Sequence, residues 1–196
     1  MNARVPLPVI VPLLGASLAV LTSPWRWAQR IISLLALTVN VIVSVLMLTE
    51  VDDGDILVMQ AGGWKVPLGI TLVVDRLSAV MLVVSSLMLL SVLIYAIGQG
   101  AEESRYASFN PVYLVLAAGV SASFVTGDLF NLFVAFEMML VASYVLLTLG
   151  GRPGQVRSGM SYVVISLVAS TFFITALALI YAATGTVNMA ELSQRI

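Results

Sequence analysis

No cysteine and no histidine occurs in the 196 residues. Disulfides, thiolate nucleophiles, imidazole-ligated haem, His-bearing zinc sites and Ser-His-Asp triads are thereby excluded, and with them most redox and hydrolytic chemistry. Charge is also scarce. Only 10% of the residues are Asp, Glu, Lys or Arg, Lys65 is the single lysine, and the formal net charge is -1, so no basic face exists for a nucleic acid. What fills the chain is apolar. Hydrophobic residues make up 60% and the mean hydropathy is +1.07, the composition of an all-α integral membrane protein.

Six apolar runs stand out, at residues 5–21, 31–49, 77–97, 111–125, 129–149 and 160–183. They predict one bundle of about six transmembrane helices. Arg4 before the first run resembles a signal-peptide start, but Pro6, Pro8 and Pro12 and the lack of a small-x-small cleavage site favour a retained helix. Trp25-Arg26-Trp27, in the expected loop 22–30, reads as an interfacial anchor. Asn40, alone in its run, is expected to bond to a neighbouring helix. Residues 56–74 are broken by Gly62, Gly63, Pro67 and Gly69 and end in β-branched residues, which predicts a short extramembrane hairpin between helices 2 and 3. Asp75 and Asp128 stand where N-caps are needed, and Pro111 where a helix begins. Gly119 and Ser123, with Ala118 and Ala122, allow close helix approach in lipid. Residues 184–196 predict a short interfacial helix.

Two segments invite ligand readings and fail them. Glu50, Asp52, Asp53 and Asp55 lack the DxDxDG spacing of a calcium loop and read as a solvated loop. The loop 150–159, GGRPGQVRSG, lacks the Gly-Lys-Ser/Thr ending of a phosphate loop. No metal site and no cofactor is expected. With the N-terminus outside, the inner loops carry Arg26, Arg30, Arg105, Arg152 and Arg157, and the outer ones Arg4, Lys65, Arg76 and Arg195. Five against four favours that orientation under the positive-inside rule.

The candidate site is Glu137, eight residues past Leu129 in the fifth run. At ~1.5 Å per residue it lies ~12 Å into the hydrocarbon, close to the midplane. An acid there costs several kcal/mol, so it must face protein or water. Its helical neighbours Phe133, Val134, Leu140 and Val141 are apolar, and Tyr144 lies two turns on. Desolvation disfavours the charged form, which suits a group that holds a proton until a cation or water approaches. Two structural readings stay open: a permanently protonated packing residue, or an ion-pair partner for another subunit. In the sixth run Tyr162, Ser166 and Ser170 recur every fourth residue, with Tyr181 on the same face. This stripe is either interhelical hydrogen-bonding glue or a lining for waters and protons.

The string TGDLFNLFVAFEMMLVASYVLLTLGG, at residues 126–151, resembles the fifth-helix region of the D subunit of Mrp-type multisubunit sodium/proton antiporters. The wider family comprises the antiporter-like subunits of respiratory complex I and of membrane-bound hydrogenases. GWKVPLGITLVVDRLSAVML and TGTVNMAELS are similar to other family segments. The resemblance implies that Glu137 translocates protons in the cell membrane of a bacterium, with H+ and Na+ as transported ions and other antiporter subunits as partners. Tyr144, Ser166 and Ser170 become candidates for the proton path. Family members have about fourteen helices and pair this Glu with a Lys on the seventh, so the chain corresponds to the front part of such a subunit. Its only Lys, Lys65, falls in a loop. Two other readings use the same residues: a scaffold subunit that holds membrane partners together, and a proton-pumping subunit of a complex I-like NADH-quinone oxidoreductase.

Overall fold

A computed structural model describes residues 4–52, 54–64, 69–99 and 106–195. Asp53, Lys65, Pro67 and Arg105 therefore lie outside the described residues. Along the chain come α1 (Leu7–Leu21), α2 (Arg26–Asp52), β1 (Leu57–Gln60), β2 (Thr71–Val74), α3 (Arg76–Gln99), α4 (Phe109–Val125), α5 (Leu129–Thr148), α6 (Pro153–Thr184) and α7 (Met189–Arg195). Helices α2, α3, α5 and α6 are long and apolar enough to cross a membrane. α1 and α4 are apolar but shorter, at 15 and 17 residues, or ~23 and ~26 Å.

α4 is the centre of the bundle. It packs on α1, α2, α3 and α5, while α6 packs on α5. Its sequence explains the position, because Ala117, Ala118, Gly119, Ser121 and Ala122 are all buried and none holds a neighbouring helix away. A Cβ on Gly119 would lie 2.7 Å from Met139 Cγ and 3.3 Å from the Ala135 carbonyl of α5. Asn40, fully buried on α2, donates from Nδ2 to Ser121 Oγ of α4 at 3.3 Å. The interhelical bond expected of Asn40 is thus made.

The hairpin exists, with β1 and β2 antiparallel and Leu57 opposite Val74. It does not merely rest on the bundle. Leu57 and Val74 join Met47, Val51, Leu82 and Val125 in one buried cluster. β2 also bonds to the α4–α5 break, where Gly127 N donates to Thr71 O at 2.9 Å.

Several boundaries differ from the sequence expectation. α2 begins at Arg26, so Trp25-Arg26-Trp27 opens a helix rather than filling a loop. The reason is Gln29, buried and donating to the Ala19 and Ala107 carbonyls at 2.8 and 3.0 Å, which ties this turn to α1 and to the start of α4. At the other end Glu50 and Asp52 fall in the last turn of α2 rather than in a solvated loop. An acid at a helix C-terminus is unfavourable, and the Arg4 guanidinium offsets it through an ion pair with Glu50. α4 starts at Phe109, placing Pro111 in the third position instead of the first. A proline there still costs no helical bond, since the first-turn N–H groups have no partner. α6 starts at Pro153, so most of the loop 150–159 is helix. Pro153 is pre-set for the first helical position, and the Arg152 N–H donates to Gln155 Oε1 at 3.4 Å.

Candidate functional site

Two breaks in the helices fix the frame of the site. Asp128 caps α5, with Oδ1 accepting from Asn131 N at 3.0 Å, and Thr126 Oγ1 accepts from Asn131 Nδ2 at 2.9 Å. The same residues meet the α6–α7 break. Leu129 N donates to Val187 O at 2.9 Å, and Met189 N to Gly127 O at 3.0 Å. At the opposite end Gly159 of α6 lies against the Thr148 side chain of α5, too close for a Cβ. The antiparallel pair α5–α6 is therefore pinned near both ends, and Asp75, which caps α3 through Ser78 N at 2.7 Å, lies at the end where the hairpin sits. That bond, donated by the Ser78 backbone, is the first cause that holds the Asp75 carboxyl below its ordinary value.

Within this frame Glu137 is half-buried at the α5–α6 seam. Its Oε1 accepts a hydrogen bond from Ser170 Oγ of α6. The carboxylate lines a groove of about 220 Å³ whose other walls are Phe136, Leu140, Ala169, Ser170 and Phe173. An acid in so apolar a groove gains most from the Ser170 hydroxyl, the one that reaches it among the described residues, because a buried polar group is costly without a hydrogen-bond partner.

The other sequence candidates distribute along the same seam. Ser166 is buried, one turn from Ser170 towards the Gly150 end. Tyr144 and Tyr162 meet edge to face at 5.4 Å and 78°. Tyr181 is separate, more than half exposed beside Phe130 and Leu177 near the α6–α7 break. Ser170 is thus brought to Glu137, while Tyr144, Tyr162 and Ser166 lie further along and Tyr181 stands apart on the opposite side.

Sequence reasoning named Phe133 as an apolar neighbour of Glu137 but missed Phe136 and Phe173, which lie with it on the hairpin side of the site. Phe173 packs edge to face on Phe133 at 5.6 Å and on Phe136 at 6.1 Å. Phe130, Phe133 and Glu137 share one face of α5, a signal present in the spacing but indistinguishable from ordinary apolar filling. Among the described residues no three His, Cys, Asp or Glu side chains gather as metal ligands would.

These features define a multi-pass helical membrane protein with a single acid in an apolar seam. Residues 126–196 match the transmembrane region of the NADH:quinone oxidoreductase/Mrp antiporter family. Over all 196 residues the chain is 40% identical to the D subunit of the Na(+)/H(+) antiporter of Alkalihalophilus pseudofirmus and 36% identical to that of Bacillus subtilis. The chain is similar to these antiporter subunits along its whole length. The chain spans about 40% of the length of each. A chain in the structure of the Mrp complex from Dietzia sp. DQ12-45-1b superposes with a TM-score of 0.91 at 34% identity, covering 97% of this chain and 36% of that one. Respiratory complex I from Thermus thermophilus shares the fold, with a TM-score of 0.80 at 20% identity over 97% of this chain and 39% of that one.

Proposed function

We propose that the chain is the proton-translocating part of a subunit of a multisubunit sodium/proton antiporter, with Glu137 as the proton carrier. The observation that carries the reading is the Glu137–Ser170 contact, an acid held by a hydroxyl in an apolar groove at mid-helix. A hydroxyl can donate to the carboxylate and accept from the carboxylic acid, so Ser170 holds the group in place in both protonation states. A basic side chain outside these residues would modulate its proton affinity. Tyr144 and Ser166 lie on the route to the Gly150 end. α1 and α4 cross the membrane with the four longer helices, the N-terminus lies outside, and the partners are other membrane subunits, a reading that the superposition on a chain of an Mrp complex supports for the partners.

Antiport is measured in vesicles bearing the complete complex with Glu137→Gln, which keeps shape and removes the titrating proton. The expected outcome is loss of sodium-driven proton movement in normally assembled complexes. Wild-type antiport in such complexes overturns the reading.

A further inference from the structure

The α5–α6 pair carries a groove on each of its faces. Relative to Ser170, and at ~100° per residue, Ala169 and Phe173 fall on one side of α6 and Ile174, Ala178 and Tyr181 on the other. The first side belongs to the groove of Glu137. On the second, Phe130 of α5, Ile174, Leu177, Ala178 and Tyr181 of α6, and Val187 beyond it line a separate groove of about 270 Å³. Leu177 is its buried floor, and Phe130 and Tyr181 are exposed. From Ile174 to Tyr181 the wall runs ~10 Å along α6 and stops one turn before the helix does. Tyr181 brings the one hydroxyl in this lining, at the end of the groove where the helix leaves the apolar layer. A ring with an apolar body and a polar tip suits that boundary.

A pair of opposite charges stands at the same end. Arg195 Nη1 donates to the Thr184 carbonyl in the last turn of α6, and Nη2 lies 3.5 Å from Glu191 Oε2. The guanidinium is therefore seated over the turn that follows Tyr181, where a Cβ on Gly185 would come 3.4 Å from Nη1. Both side chains keep a solvent-facing part, 46% for Arg195 and 31% for Glu191. A guanidinium has five N–H donors in a fork that matches phosphate, so Arg195 can take a phosphate beside its internal contacts. Glu191 can accept from an ammonium. Because the two charges cancel, a purely anionic headgroup meets the acid as well as the base, whereas a headgroup with a phosphate and a primary ammonium satisfies both.

We propose that this face of the α5–α6 pair binds a phosphatidylethanolamine molecule. Its phosphate sits on Arg195 and the Tyr181 hydroxyl, its ammonium on Glu191, and one acyl chain lies in the groove along Leu177 and Ile174. The layout is that of an amphiphile, with the charges gathered at one end and an unbroken apolar wall below them. The site shares no residue with the groove of Glu137 and does not depend on the role of that acid.

Photolabelling of the complete complex tests the proposal. Vesicles of phosphatidylethanolamine and phosphatidylglycerol carry a trace of one lipid or the other with a diazirine in an acyl chain, and labelled residues are located by mass spectrometry. The phosphatidylethanolamine probe should label residues 174–181 about ten-fold more than the exposed stretch 80–88 of α3 and about ten-fold more than the phosphatidylglycerol probe does, the scale of hydrogen bonds to charged groups. Arg195→Gln should remove that excess, and Glu191→Gln should remove the preference between the two probes. Ala178→Leu, at an exposed position, narrows the groove without touching either charge and should also lower the labelling. Labelling no higher than that of α3 overturns the site, and is the result expected if a polypeptide segment covers the groove. Equal labelling by the two probes overturns the headgroup assignment. Labelling unchanged by Arg195→Gln or by Ala178→Leu, in complexes that retain their partner subunits, overturns the placement of phosphate or acyl chain respectively.

Discussion

Gly119→Ala is a direct probe of how α4 sets the position of α5, and so of the turn that carries Glu137. The new Cβ would lie 2.7 Å from Met139 Cγ, 3.1 Å from Met139 N and 3.3 Å from Ala135 O. Met139 can swing its side chain aside. The backbone N and O cannot move alone, so α5 has to shift outward by a few tenths of an ångström. Overpacking of this kind costs about 1–3 kcal/mol. Against it stands the helix-propensity gain of Gly to Ala, about 1 kcal/mol. The difference predicts a net destabilisation of about 1 kcal/mol, read from reversible unfolding in mixed micelles as detergent is titrated. Met139→Ala separates the two parts of the clash. In that background the side-chain contact is gone and only the backbone contacts remain, so the double-mutant cycle should show a coupling of at least ~0.5 kcal/mol. If Gly119→Ala instead stabilises the protein by the full propensity increment with no coupling to Met139, the close α4–α5 approach is wrong.

Two further substitutions probe the ends of the helices. Asp75→Ala removes the cap of α3 and should cost about 0.5–2 kcal/mol at neutral pH. Because the folded carboxyl is held below its ordinary value of 3.8, its contribution is present above that pH and is lost as pH falls through the lower folded value. Unfolding curves of Asp75→Ala and the unsubstituted protein should therefore converge in acid, and a gap that persists undiminished there would refute the capping account. Gly185→Ala places a side chain at φ +71°, in the left-handed turn where the Gly185 N–H donates to Tyr181 O at 2.7 Å. The expected cost is about 1–2 kcal/mol. Amide exchange at Leu129, whose N–H bonds to Val187 just past this turn, should quicken in the same variant.

The position of the acid in its apolar run was legible from the sequence, because the cost of a carboxylate in hydrocarbon is a property of one residue and its immediate neighbours. The hairpin was legible for a similar reason, since Gly62, Gly63, Pro67 and Gly69 interrupt helix locally. So were the Asp75 and Asp128 caps, which act over three residues. Helix boundaries at α2 and α6 were not. Gln29 holds the first turn of α2 by reaching carbonyls of α1 and of the start of α4, and Arg4 offsets Glu50 from 46 residues away. The partner of Glu137 was even less accessible to sequence reasoning. Tyr162, Ser166 and Ser170 announce a polar stripe, but only the register of α6 against α5 decides which of them meets the acid. That register is set by the backbone bonds between the two helix breaks and by the close approach of Gly159 to Thr148. The same register brings Phe173 onto Phe133 and Phe136. Local composition determined that a carboxyl group sits within a long apolar run, whereas the hydroxyl that meets it and the rings packed beside it come from contacts between segments with no shared local signal.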